Sequence, residues 1–358
     1  MFVNEFDSLQ LEVSDEDTSI DYMEDEYFKF VNKEFKFTDL VSDFDLFAKE
    51  KGFKFDITMI QEIFSAIASS RLVITKMDEG SYSAFVALLC EYLECPVCLD
   101  RVDDTYMTED SVLIRTLEDG SKIKTNVMRG LEYAQKSIQN MFIVSLTNVN
   151  PKDVSNYFVP FAKYVRNPLS NIYVNYQDEY GADKRIPITK NVWFMLNIAT
   201  DAVAYDMPAY IGEVAALQKI EFTRCAPAQA NPDLNKLKFF QFDYMVDKSK
   251  NNSVVFEDTW KKIDKLESAA GAQSGRKMTN KTIVGFEKYV NVYALCGGDK
   301  NDALYLAMNS KLLPYFAAEN CDAKTIASIS EALESVFGED NVQKCQRSLK
   351  ENSKPMAN

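Results

Sequence analysis

No histidine occurs anywhere in the 358 residues. That absence excludes Ser-His-Asp and Cys-His nucleophilic catalysis, imidazole acid–base chemistry and mixed Cys/His zinc sites. Long apolar runs are missing as well. No stretch reaches the roughly 18 uncharged residues that a membrane-spanning helix needs, so no span is expected. The opening residues Met1, Phe2, Val3, Asn4, Glu5, Phe6 and Asp7 contain no basic region, so no secretory signal is expected either. Positive charge is scarce. A net charge of −14 argues against direct nucleic-acid binding, which relies on clustered Lys and Arg against phosphates. It suits a soluble protein or one with a basic protein partner. Cysteine is used without a framework: seven scattered residues fit a reducing cytoplasm better than a disulfide scaffold. Cys95 and Cys98 form a C-x-x-C pair with no second pair at matching spacing, so structural thiols rather than a metal site are expected.

What is present supports a substantial core. Hydrophobic residues make up 46% of the chain and aromatics 12%, enough for two compact domains or one α/β domain with a helical appendage. Residues 1–36 read as an acidic tail containing Asp15, Glu16, Asp17, Glu24, Asp25 and Glu26, either solvated or a docking arm for a basic partner. Residues 37–69 carry two helical faces, with Leu40, Phe44, Phe47 and Ala48 on the first and Ile60, Ile63, Phe64 and Ile67 on the second. Residues 70–225 alternate short buried strands with helices, which indicates a mostly parallel sheet flanked by helices. The strands are expected at 71–74, 141–146 and 191–198. Residues 226–275 read as an irregular insert ending in a small-residue linker over 269–275. Residues 276–358 are dominated by helical periodicity.

Residues 70–89 have the strand, turn and helix order in which a phosphate-binding loop sits. A working loop spells G-x-x-x-x-G-K-[ST]: glycines let backbone amides wrap the phosphates, lysine neutralises them, and the final hydroxyl holds Mg²⁺. The four required positions here are Met77, Tyr82, Ser83 and Ala84, and the one glycine of the turn, Gly80, is out of register. Asp78 and Glu79 would repel a polyphosphate.

The succession of features on either side resembles the AAA+ ATPase superfamily, most closely its McrB-type branch, over roughly residues 44–349. The segment Ser70-Arg71-Leu72-Val73-Ile74 looks like that branch's approach to the loop. The resemblance implies an AAA+-like P-loop core with a C-terminal helical lid, whose signature looks like Tyr305 to Pro314. It also implies four nucleotide elements, and each is degraded here. The loop has lost its glycines and lysine. The strand that should end in Asp-Glu ends in Thr147-Asn148. The sensor asparagine falls on Ala199, with Asn197 two residues away on the same strand face. The arginine-finger position offers no arginine and presents Glu213. Arg276 is the one residue near a second-sensor position. The resemblance therefore implies a pseudo-ATPase with no cofactor. It would act as a scaffold or regulator of a protein partner, an active AAA+ subunit or an effector, in an oligomer. For this branch the implied setting is bacterial DNA restriction or antiphage defence. Two other expectations stand beside it: a structural self-assembling protein, and an ATPase that binds nucleotide unconventionally.

Overall fold

The structure, a computed structural model, describes residues 35–353 except 107, 169–171, 230–233, 235–236, 252–253, 256 and 320–321. The acidic tail, and with it the docking role expected of it, lies outside the described residues but for its last two.

Helices α1 (Phe37–Glu50) and α2 (Ile57–Ser69) form where the apolar spacing places them. Phe44 of α1 meets Phe64 of α2 edge-on at 5.5 Å and Tyr92 at 5.1 Å. Gly52, at φ 78, takes the left-handed conformation just past the end of α1.

The core is a five-stranded parallel sheet. Its strands are β1 (Leu72–Lys76), β2 (Cys98–Arg101), β3 (Phe142–Val149), β4 (Val192–Ile198) and β5 (Ala216–Gln218). They lie side by side in the order β5-β1-β4-β3-β2. The two central partners, β3 and β4, are buried almost throughout, as a strand covered on both faces must be. Helices α3 (Glu79–Tyr92), α4 (Asn126–Lys136) and α5 (Val154–Arg166) follow β1, lead into β3 and follow β3 respectively, and a short α6 (Ala209–Val214) leads into β5. The chain is thus an α/β protein with a parallel sheet flanked by helices.

Three segments differ from the sequence expectation. Residues 226–275 are largely helical: α7 (Phe239–Ser249) and α8 (Glu257–Ser274) occupy them. Alanine is the best helix former and a lone glycine costs only about 1 kcal/mol. Burial of Ile263, Leu266 and Ala270 therefore carries α8 through the stretch read as a linker. The hairpin Ile172–Gln177 with Asp183–Ile188 was not anticipated. Its turn is set by Asp178, whose Oδ1 accepts from the amides of Tyr180 and Ala182, with Gly181 at φ 80. Finally, β3 runs past Leu146 to Val149 through a register shift.

The C-terminal region contains α9 (Asn280–Leu295), α10 (Lys300–Ala307), a π-helical turn (Met308–Leu312), α11 (Leu313–Ala317), α12 (Ala323–Phe337) and α13 (Glu339–Asn352). Within this helical region the backbone widens into the π turn over Met308–Leu312. Helix α9 packs against α2, so this region is continuous with the N-terminal helices.

Candidate functional site

In an open α/β sheet a ligand is expected outside the carboxyl ends of the strands, where the connections change direction. Registers Thr75↔Asn197 and Val149↔Ile198 bring the ends of β1, β4 and β3 level. Met77, Thr147, Asn148 and Asn197, widely separated in sequence, thus meet at one end of the sheet.

The connection from β1 to α3 is only Met77 and Asp78. Asp78 caps the helix, its Oδ1 accepting from the Ser81 amide at 2.9 Å, and hydrogen bonding from the Ser81 side chain first and its amide second holds the carboxyl below the ordinary range. The helix end that would meet a phosphate already carries the chain's own carboxylate. Asn197 seals the other side. Its Oδ1 accepts from Thr75 Oγ1 at 2.9 Å and from the Met77 amide at 3.1 Å, while its Nδ2 donates to the Met77 carbonyl at 3.1 Å. Asn197 was a faint sensor candidate; here it is a buried clamp on the turn.

Tyr82, at the second glycine position of the loop, is fully buried and reaches under the sheet. Its hydroxyl donates to the Met195 carbonyl at 2.9 Å and shares a hydrogen bond with Ser145 Oγ. Burial pushes the Tyr82 phenol well above its ordinary value. Ser83 donates back to the Glu79 carbonyl at 2.8 Å, and Ala84 packs against the core. Gly80 sits in the first turn of α3, where an added Cβ would meet only Asp78 Oδ1, at 3.5 Å, so it frames no close approach.

The second strand position offers nothing to a metal. Thr147 is buried with its hydroxyl unpartnered. Asn148 adopts φ 58 and donates from Nδ2 to the Val102 carbonyl at 2.8 Å. Ala199 is exposed just past β4.

Glu213 differs from expectation. Rather than facing outward where a finger would project, it is buried. Its carboxylate pairs with Arg166 at 2.8 Å and accepts from Thr279 Oγ1 at 2.8 Å. Burying a carboxylate requires such partners, and the sequence spacing does not disclose them. Arg276 ties down the end of α11, donating to the carbonyls of Tyr315 (2.8 Å) and Ala318 (2.5 Å) and pairing with Glu319 at 3.1 Å. Its guanidinium is thereby committed to the C-terminal helices.

Beside the Met77–Asp78 turn lies an open crevice of about 640 Å³, with Lys54, Lys76 and Lys219 balanced by Asp56, Asp78 and Glu221. Three cations against three carboxylates give a triphosphate no net attraction. A neighbouring cavity of about 470 Å³ shares Lys76 and Lys219 and reaches α13. There Lys76 Nζ donates to the Glu351 carbonyl at 2.9 Å and Arg347 pairs with Glu351 at 2.8 Å. Glu62 in this cavity is pushed up to about 7 by burial, against the Gln218 amide that donates to it at 2.7 Å. Neither Glu62 nor Lys76 stood out in the sequence, because each lies on an otherwise ordinary helix or strand pattern. The residues gathered here do not fit a nucleotide triphosphate with its metal ion.

The remaining candidates are structural in placement. Cys90, Cys95 and Cys98 are buried, and the Cys90 and Cys98 thiols are pushed up, Cys90 first by a hydrogen bond it donates to Cys95 and Cys98 first by burial. Among the described residues no group of three or more Cys, Asp or Glu side chains could hold a metal ion. No described helix is long and apolar enough to cross a membrane.

No protein-family profile matches the sequence, and no curated protein matches it. Among solved structures, a full-length MCM homolog from Methanopyrus kandleri overlaps 91% of this chain and 63% of its own length, with TM-score 0.28 and 10% identity. The chain thus spans less than two thirds of that protein, and at this TM-score the likeness carries no argument.

Proposed function

We propose that this chain is a catalytically inactive AAA+-like subunit that scaffolds or regulates a partner complex. The observation that carries the reading is the convergence of Met77, Thr147, Asn148 and Asn197 at one end of the sheet. Residues aligned only by resemblance to nucleotide elements meet where such elements would have to meet, and each is uncharged or engaged with the chain itself. Phosphoryl transfer depends on positioning and charge neutralisation, and this cluster supplies neither lysine nor metal-binding acid. A fold kept without that chemistry serves its contacts. The partner is then an active AAA+ paralogue or an effector such as a nuclease. The defence setting follows from the McrB-type resemblance alone.

Equilibrium dialysis with radiolabelled ATP and Mg²⁺, together with a hydrolysis assay, tests the inactive half of the reading. Saturable micromolar binding or turnover above a no-protein control would overturn it. The partner half is tested by purifying the tagged chain from its host with and without ATP. An AAA+ ATPase with an intact Gly-Lys-Thr loop, recovered in stoichiometric amount, is the expected result; a homo-oligomer of this chain alone would favour self-assembly.

A further inference from the structure

At the opposite, amino-terminal end of the sheet the chain forms a second cleft, of about 500 Å³. Six basic side chains line it (Arg71, Arg166, Lys250, Lys281, Lys288 and Lys311) against two carboxylates, Asp243 and Asp247. In a chain of net charge −14 this concentration of positive charge is against the trend.

Several of these cations are already engaged. Arg166 pairs with Glu213, Lys250 with Asp247, and Lys311 Nζ donates to the carbonyls of Val214 and Ala215 at 2.8 Å each. Arg71 is not satisfied. Its guanidinium carbon sits over the Trp193 ring, 3.4 Å from the centroid, with its side chain only 10% exposed. Nη2 approaches Asp243 Oδ1 at 3.6 Å, too far for a hydrogen bond, and Nη1 is buried with no acceptor. An arginine held in place over a ring, with one guanidinium nitrogen lacking an acceptor, is suited to receive an oxygen of an anion. Lys281 and Lys288 line the cleft beside it from α9. Lys288 is held below its ordinary value, first by burial and then by repulsion from Lys250 and Arg71, a repulsion that an anion between them would relieve.

We propose that this cleft binds the phosphate group of a small phosphorylated molecule, held by Arg71, Lys281 and Lys288. Its volume lies within the range of small-molecule sites, roughly 300–1,000 Å³. The acidic character of the rest of the chain disfavours an extended polyanion such as nucleic acid. The site is separate from the carboxyl-end crevice and does not depend on the inactive-subunit reading.

The test is titration of the full chain with inorganic pyrophosphate, followed by calorimetry and by thermal unfolding, against sodium chloride of matched ionic strength. Saturable binding is expected, weakened about tenfold or more by Lys288→Gln and by a smaller factor by Lys281→Gln. Arg71→Lys, which keeps the charge and loses the fork, should weaken binding as well; Lys281 is exposed, so its variant stays informative if a buried variant fails to fold. No saturable binding at millimolar pyrophosphate, or unchanged affinity in both lysine variants, would overturn the proposal. Tighter binding of a short oligonucleotide at this cleft would overturn the small-molecule assignment.

Discussion

Asn197→Ala is the substitution that most directly probes the sealed turn. The side chain is 2% exposed and makes three hydrogen bonds, to the Thr75 hydroxyl and to both backbone groups of Met77. Thr75 is wholly buried and Met77 nearly so. Removing the amide leaves a buried N–H, C=O and hydroxyl without partners, at about 1–3 kcal/mol each. Water entering the polar void can recover part of that, so a loss on the order of 3 kcal/mol is expected. Asn197→Asp sharpens the test. It keeps both acceptor contacts but turns a carboxylate oxygen toward the Met77 carbonyl. A buried carboxyl in that position should have a raised folded-state pKa, and protonation restores a donor. Its contribution is therefore present at low pH and lost as pH rises through the folded pKa. Urea unfolding of wild type and both variants at pH 5 and pH 7 reads this out. A loss under about 1 kcal/mol for Asn197→Ala, or an Asp variant as stable as wild type at pH 7, would show that the turn is held by something else. The sealed-site reasoning would then fail.

Restoring three of the four required loop positions should not create a nucleotide site. The triple change Tyr82→Gly, Ser83→Lys, Ala84→Thr is expected to cost about 3–5 kcal/mol through loss of the buried ring. It should leave MgATP without effect on the unfolding temperature, because two connecting residues cannot wrap a phosphate; a ligand-dependent rise would contradict this. Lys311 is lowered from 10.5 to about 7, chiefly by burial. Between those values the unfolded chain holds a proton that the folded chain has released, so stability rises with pH, by at most about 1.4 kcal/mol per pH unit. Lys311→Met should remove that slope between pH 7 and 9, and parallel profiles for the two proteins would refute it. Gly212→Ala would place a Cβ 2.7 Å from the Pro314 carbonyl oxygen, a backbone atom that cannot swing away. A loss of about 2 kcal/mol or more is expected from this overpacking of α6 against α11, measured by chemical denaturation.

The parts of the fold legible in the sequence are those where one local signal suffices. The strands β1, β3 and β4 are buried on both faces, so Leu72 to Ile74, Phe142 to Leu146 and Val192 to Ile198 read as uninterrupted apolar runs. The α12 boundaries follow from its apolar spacing between Asp322, whose Oδ1 caps Thr325, and Gly338 at φ 85. Where tertiary packing decides, the pattern misleads. Helix α8 continues through Ala269, Ala270 and Gly271 because the preceding turns are anchored by Ile263 and Leu266. Glu213 looks like a surface acid until Arg166 and Thr279 arrive beside it from distant segments. That residues 77–84 lack the glycines, lysine and hydroxyl of a phosphate-binding loop was readable position by position. That the β1–α3 connection has only two residues and is clamped by Asn197 was not, because the clamp is a contact made from another strand.

The two ends of the sheet differ in one respect that decides where an anion can enter: whether donors remain. At the carboxyl end the Ser81 amide is taken by Asp78, the Met77 amide by Asn197, and Lys76 by the Glu351 carbonyl. An incoming phosphate would have to displace an internal partner from each of these three donors, against carboxylates already in place, so they leave little net free energy for binding. At the amino end Arg71 Nη1 is desolvated and unpaired, and Lys288 is held below its ordinary value by burial and by the nearby Lys250 and Arg71. A ligand there satisfies a group whose desolvation cost was already incurred on folding. The asymmetry also bears on regulation. The amino-end cleft is lined by α5, β4, α7, α9 and the π turn, so occupancy would act on the seam between the sheet and the C-terminal helices. A small phosphorylated ligand would in this way act on the packing between the sheet and the C-terminal helices, with no nucleotide chemistry at the sealed end.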